Sequence, residues 1–224
     1  MSEKVPQNIP EYDFDIIKTL KEGFKRIEGK KGLFVGAFLI YVAVAMAVQM
    51  VLSLFFPMQN AAGQEHLLNQ QIVTLLSYPV LMPIMVGIIM LAVDDARGKP
   101  LNIKSVFGYY HMTWTLALAG VLIYLMTLLG ILFFILPGIY LSVSYLFTLP
   151  LIADKQMPVW DAMELSRKTI TRHWFKVFGL VLILSLLMLG GILTFGIGLV
   201  WAVPVLFTTL YGLLYTSIFD ETNA

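Results

Sequence analysis

Three aspartates recur at one kind of position, the end of a long apolar run. Asp94, Asp154 and Asp220 close the segments LAVDDARGKP, PLIADKQMP and TSIFDETNA. A carboxylate at a helix C-terminus opposes the helix dipole by about 0.3–1 kcal/mol. We therefore expect each aspartate to pair with a basic residue of a neighbouring helix, which would join the helices at one end; the alternative is that the three are hydrated loop residues. The candidate partners are Arg97, Arg167 and Arg172.

Other residue types that could carry chemistry are scattered along the chain. His66, His111 and His173 lie in three different polar segments, and no pair of them has the i, i+4 spacing of a helical metal site. The chain has no cysteine, and it contains no nucleophile elbow, P-loop or dinucleotide fingerprint. The sequence therefore predicts no metal, no cofactor and no catalytic residue.

Composition places the chain in a membrane. Hydrophobic residues make up 58% of the 224 residues, charged residues only 13%, and the mean hydropathy is +0.82. A soluble domain of this length would not carry so much apolar side-chain surface. The formal net charge of +1 indicates no nucleic-acid partner; membrane lipids, other membrane proteins or a second copy of the chain are the expected partners.

The apolar runs predict six spans. The first extends from about residue 32 to 56 and the second from about 72 to 93. Residues 112–153 carry no charge, and as one helix they would reach about 63 Å at 1.5 Å per residue, twice the hydrocarbon core. They must form two spans, with a turn near Gly130–Phe133 or at Pro137-Gly138. Residues 174–219 form the last pair, turning near 196–198.

Basic residues predict the orientation. All 15 lysines and arginines lie before residue 32, in 94–111 or in 154–176. In a six-span chain these segments share one side, which the positive-inside rule makes cytoplasmic. Both termini are then cytoplasmic, the polar segment 57–70 faces outward, and residues 1–11, with two prolines and little apolar surface, are expected to be disordered.

Three segments on the basic side have a helical apolar face. Phe14, Ile17, Leu20, Phe24 and Ile27 are spaced by three or four residues within 12–31. Segments 94–111 and 154–173 repeat the pattern, and we expect all three to be amphipathic helices in the membrane interface; an ordinary charged loop is the alternative for 154–173. The predicted faces and tryptophan anchors are Ile103, Val106, Phe107 and Tyr110, then Trp160, Met163, Ile170 and Trp174, with Trp114 as a further anchor.

A threefold repeat is indicated by prolines that precede the three aspartates. Pro79, Pro137 and Pro204 lie 15 to 17 residues before Asp94, Asp154 and Asp220, although aspartate and proline also recur by chance. The prolines are candidate kinks, because each removes one backbone hydrogen bond. The predicted units are 12–94, 95–154 and 155–220. The predicted fold is an all-α polytopic domain, residues 12–224, with six transmembrane helices as three helical hairpins, each preceded by a cytoplasmic-side amphipathic helix.

The segment ILPGIYLSVSYLFTLPLIADKQMPVWDAMELSRKTITRHW resembles the YciC-like family of bacterial inner-membrane proteins. It is also similar to the accessory membrane domain of some bacterial glycerophosphodiester phosphodiesterases. The resemblance implies a multi-pass protein of the bacterial inner membrane and transfers no catalytic residue. The matching residues are Pro137, Gly138, Ile139, Pro150, Asp154, Lys155, Ala162, Met163 and Ser166.

Three functions remain open. No ionisable residue falls in the central part of a predicted span, which argues against a carboxylate-driven proton pump. The first hypothesis is a non-enzymatic membrane protein with a structural, assembly or envelope-maintenance role. The alternative is a small transporter or channel for apolar or amphipathic molecules, using a cavity between the proline-kinked even helices. A lipid-modifying enzyme would need the aspartates as its acid groups.

Overall fold

The computed structural model describes residues 11–57, 59 and 67–220, so the predicted disorder of the N-terminus falls, Glu11 excepted, outside the described residues. Nearly all of the described chain is helical. The α-helices are α1 (Ile16–Arg26), α2 (Lys31–Phe55), α3 (Leu67–Ala96), α4 (Thr113–Phe133), α5 (Ile135–Ser144), α6 (Thr148–Lys155), α7 (Val159–Arg172), α8 (Trp174–Leu193), α9 (Leu199–Phe207) and α10 (Thr216–Phe219), with a π-helix at Thr208–Tyr215 between the last two.

Six helical stretches of the described chain are long and apolar enough to cross a membrane, which confirms the number of spans expected from the sequence. Four of them coincide closely with the predicted limits, the second is longer at both ends, and the third begins at Ile103 rather than near residue 112. The six are Lys31–Phe55, Leu67–Ala96, Ile103–Phe133, Ile135–Lys155, Trp174–Leu193 and Leu199–Phe219.

The chain between the third and fourth spans breaks at Phe134, whose φ of −161° and ψ of 148° are extended. Pro137 is therefore inside the fourth span, as its proposed equivalence with Pro79 and Pro204 requires. The prediction of a kink at Pro137 is wrong. As the third residue of α5 it lies in the first turn, where its missing N–H has no helical partner to lose. Pro79 and Pro204 do lie inside helices.

The fourth span is interrupted at residues 145–147, between α5 and α6, and not at Pro137. Ser166 of the neighbouring α7 bridges this interruption: its hydroxyl donates to the Ser144 carbonyl at 2.8 Å and accepts from the Phe147 N–H at 3.1 Å. Ser166 and Phe147 are fully buried. One hydroxyl thus satisfies two backbone groups that the interrupted helix leaves free.

Replacing Ser166 with Ala is expected to destabilise the protein by about 2 kcal/mol, because a buried N–H and a buried carbonyl both lose their partner. Thermal unfolding of the purified protein in detergent measures the loss. Ser185→Ala is the matched control, since the exposed Ser185 hydroxyl donates only to the Val181 carbonyl of its own helix. Equal melting temperatures for the two variants would contradict the bridging role.

Segment 97–112 differs from the predicted amphipathic α-helix. It forms two short 3₁₀ turns, Ile103–Phe107 and Tyr110–Met112, with Gly108 and Tyr109 between them. The Asn102 side chain caps the first turn, and Gly108 ends it by donating to the Ser105 carbonyl. Val106 packs directly on Gly87 of α3 and is fully buried, so tertiary packing outweighs the helical pattern.

The buried core gathers around the second, fourth and sixth spans, mainly over residues 84–93, 147–153 and 202–219. The first span buries only Phe34 and Ala37. Phe147 occupies the centre of this core, with edge-to-face ring contacts to Tyr215 at 5.8 Å and Phe219 at 5.9 Å. The even spans therefore meet in a packed centre, and the odd spans lie outside them.

Candidate functional site

The ends of the three even spans are joined by one arginine. Arg97, which follows α3 directly, donates Nη1 to Asp154 Oδ1 at 2.7 Å and Nη2 to Asp154 Oδ2 at 2.8 Å. It also donates Nε and Nη2 to the two carboxylate oxygens of Asp220, at 2.9 and 2.6 Å. Asp154 comes from α6 and Asp220 follows α10. We call Arg97, Asp154 and Asp220 the arginine clamp.

The clamp is shielded from water on its Asp154 side. The side chain of Asp154 is 11% exposed and that of Arg97 is 20% exposed, whereas that of Asp220 is 32% exposed. Tyr215 of the π-helix adds a further hydrogen bond, its hydroxyl donating to Asp154 Oδ2 at 2.9 Å. The hydrogen bonds from Arg97 to Asp154 and Asp220 raise the pKa of the guanidinium well above its usual range. The Arg97 guanidinium is therefore charged at every physiological pH.

The remaining predicted partners lie elsewhere. Asp94, in the last turn of α3, pairs with Lys99 of the loop that follows this helix at 2.8 Å, and no bond to an arginine is among its described contacts. Arg167 pairs with Glu164, one helical turn before it in α7, at 2.9 Å, so its predicted pairing with an aspartate is wrong. The reason is proximity, because an i, i+3 pair on one helix meets without any tertiary contact. Arg167 lowers the pKa of Glu164 through its hydrogen bonds.

Arg172, at the end of α7, lies beside the segment that precedes α1. Tyr12 is buried there, with its hydroxyl donating to the Thr169 carbonyl at 3.3 Å and its ring edge-to-face with His173. Burial raises the pKa of Tyr12 to about 12, and the charge of Arg172 partly offsets this effect. The charge of Arg172 thus acts on Tyr12.

Two charged contacts that the sequence did not predict involve the lysines at the start of α2. Asp95, next to Asp94, is buried and accepts a hydrogen bond from Lys30 at the start of α2. Lys31, the next residue, places its ammonium 5.0 Å from the centre of the Trp201 ring, within the range of a cation–π interaction. The doublet Asp94-Asp95 was the only sequence signal for the first contact.

The three predicted tryptophan anchors are found on the surface to different degrees. Trp114 is 79% exposed and Trp160 is 62% exposed. Met163 and Ile170, which were predicted to share a membrane-facing apolar face with Trp160, are instead buried inside the protein. Trp174 is half-buried, stacks on Phe178 and donates to the Tyr140 carbonyl at 3.4 Å.

A cleft of about 670 Å³ lies between α1 and the end of the last span, with Arg97 and Asp220 in its wall. Both clamp carboxylates already accept two or three hydrogen bonds, so neither is positioned as a general base. Among the described residues there is no group of three histidine, aspartate or glutamate side chains that could hold a metal ion. The geometry is that of a structural clamp.

Comparisons with known proteins identify no relative for this arrangement. No family model matches the chain, and no curated protein and no solved structure matches it either.

Proposed function

We propose that this chain is a non-enzymatic integral membrane protein with a structural, assembly or envelope-maintenance role in the bacterial inner membrane, where it binds lipids or membrane partners. The observation that carries the proposal is the arginine clamp. It ties three spans together at one end, around a centre filled by Phe147, Tyr215 and Phe219. A tightly packed centre favours a rigid scaffold over a transport path.

In this proposal the chain crosses the membrane six times as three helical hairpins, with both termini, the clamp and the interfacial segments on the cytoplasmic side. The apolar turns support membrane burial of the opposite end. Phe195 in the last turn is 99% exposed and Leu136 near the preceding turn is 78% exposed. Side chains of this size favour hydrocarbon over water by about 1.5–3 kcal/mol each.

Loss of the protein tests this role. Cells that lack it are expected to have a more permeable envelope, measured as increased uptake of a hydrophobic fluorescent dye and increased sensitivity to detergent. The wild-type chain should restore the barrier, and a variant without the clamp arginine, Arg97→Gln, should not. Normal envelope permeability together with altered accumulation of one class of solute would contradict the structural role and identify a transporter.

The transporter alternative is supported by one feature, the π-helix Thr208–Tyr215 within the sixth span. Such wide turns occur often at functional sites. The buried hydroxyls of Thr208 and Thr209 have no hydrogen-bond partner among the described residues. Flux of an amphipathic dye through the purified protein in liposomes, above that of empty liposomes, would favour this alternative.

A further inference from the structure

A second cavity, of about 360 Å³, lies where the end of α3 meets the start of α2. Its wall contains one acidic and two basic side chains, Asp95, Lys30 and Lys99, and two apolar ones, Leu33 and Leu101. It is separate from the arginine clamp, although Asp95 lies only two residues before Arg97. Its volume is within the range of pockets that hold small ligands.

The carboxylate of Asp95 is buried but only half satisfied. Its side chain is 3% exposed, and Oδ1 accepts a hydrogen bond from the Lys30 ammonium. Oδ2 is also buried and has no hydrogen-bond partner among the described residues. Leaving a buried carboxylate oxygen without a donor costs several kcal/mol of folding free energy. We therefore expect a ligand in the cavity to donate a hydrogen bond to this oxygen.

The two lysines supply the opposite charge at the mouth of the cavity. The side chain of Lys30 is 43% exposed and that of Lys99 is 55% exposed. Each ammonium has three N–H donors, and each is bonded to one aspartate, Lys30 to Asp95 and Lys99 to Asp94. Both therefore keep donors for an anionic group, and the phosphate oxygen atoms of a ligand suit them.

The cavity opens at the start of the first span. Leu33 lies in the first turn of α2, whose apolar residues continue away from the charged groups. Gly29 and Gly98 line the rim in the left-handed conformation, with φ of 76° and 71°, and open space lies where each would carry a side chain. Charged residues thus lie together in the cavity, and apolar residues lead away from them along α2. This arrangement matches a ligand with a polar head and an apolar remainder.

We propose that this cavity binds a phosphoethanolamine group, in which two carbon atoms separate a primary ammonium from a phosphate. The ammonium donates to Asp95 Oδ2 and the phosphate accepts from Lys30 and Lys99. Because Oδ2 is covered in the unliganded protein, the residues that line the cavity must shift as the ligand enters, while Lys30 keeps its bond to Asp95 Oδ1. The inference rests on the proposed membrane role, which makes phosphatidylethanolamine the main source of this group.

Headgroup selectivity tests the site without any mutation. Native mass spectrometry of the full-length protein in detergent would be titrated with phosphatidylethanolamine, phosphatidylcholine and phosphatidylglycerol of matched acyl chains. Phosphatidylethanolamine should bind at least about tenfold more tightly than phosphatidylcholine, whose quaternary ammonium has no N–H to donate to the buried carboxylate. Equal binding of these two lipids, or tighter binding of phosphatidylglycerol, would overturn the proposal.

Variants assign the selectivity to this cavity. Asp95→Asn should abolish the preference for phosphatidylethanolamine, and Lys99→Ala should weaken binding several-fold. The controls Glu28→Gln and Lys104→Ala make the same charge changes at exposed residues outside the cavity and should bind like the wild type. Loss of selectivity in the controls as well would contradict the assignment. If Asp95→Asn does not fold, the titration of the wild-type protein with the three lipids still decides whether the headgroup is recognised.

Free phosphoethanolamine separates the two sources of the ligand. Competition with the lipid at comparable concentration shows that the headgroup alone is recognised, whereas selective lipid binding without competition shows that the acyl chains are needed. Both results support the site. If the protein maintains the envelope but binds all three lipids equally, the headgroup site is refuted and the proposed function stands. Failure of the site and failure of the proposed function are therefore distinguishable.

Discussion

Replacing Arg97 with Gln is expected to destabilise the protein by about 3 kcal/mol or more. The substitution leaves the carboxylates of Asp154 and Asp220 facing each other without a cation, and the Asp154 side chain is only 11% exposed. Removing one partner of a largely buried ion pair leaves an uncompensated charge in a medium of low dielectric constant. Thermal unfolding in detergent at neutral pH measures the effect.

Arg167→Gln is the matched control for the clamp, since it makes the same change of side chain at a partly exposed pair with Glu164. Its cost is expected to be below about 1 kcal/mol, as for other surface pairs. Adding Asp154→Asn and Asp220→Asn to Arg97→Gln should restore part of the lost stability by removing the uncompensated charges. Equal melting temperatures for Arg97→Gln and Arg167→Gln would contradict the account of the clamp.

Gly87→Ala is expected to cost about 2–3 kcal/mol or to prevent folding. A Cβ atom at Gly87 would lie 2.5 Å from the Cα of Val106 and 2.6 Å from its carbonyl carbon. Backbone atoms cannot give way as a flexible side chain can, so segment 103–107 would have to leave α3 and uncover the buried Val106 side chain. Thermal unfolding and the yield of monodisperse protein both report the loss.

The control for this prediction, a second helical glycine, should not lose stability when it is replaced by alanine. Gly190 is also inside a helix, and nothing lies within 4 Å of the Cβ that a substitution would add. Gly190→Ala is therefore expected to leave stability unchanged or to raise it by about 0.5–1 kcal/mol, because alanine loses less conformational entropy in a helix. Similar losses for Gly87→Ala and Gly190→Ala would show that the contact with Val106 is unimportant.

The sequence predicted features that depend on local pattern or on bilayer thickness. The lengths of the apolar runs predicted the six spans, and the extended conformation of Phe134 agrees with a turn ahead of Pro137. The recurrence of aspartate at span ends led to the hypothesis that these aspartates pair with arginines, and Arg97 binds both Asp154 and Asp220; that one arginine serves both was not predicted. In each case the same physical requirement recurs along the chain and produces a regular pattern in the sequence.

The features that were missed depend on contacts between distant parts of the chain. Val106 packs on Gly87, and this contact holds segment 103–107 in a 3₁₀ turn against its own helical pattern. Asp95 and Lys30 are 65 residues apart, and neither has a periodic neighbour that would mark the pair. Tyr215 joins the clamp through a π-helix whose register no side-chain spacing predicts.

Cysteine labelling tests the central claim, that the chain crosses the membrane six times and gathers its basic residues on the cytoplasmic side. The chain has no native cysteine, so single substitutions can be read without background. A membrane-impermeant maleimide should label Gln64→Cys in intact spheroplasts, and it should label Lys104→Cys and Lys168→Cys only after the membrane is permeabilised. Labelling of Lys168→Cys in intact spheroplasts would contradict the proposed topology and, with it, the proposed cytoplasmic position of the arginine clamp.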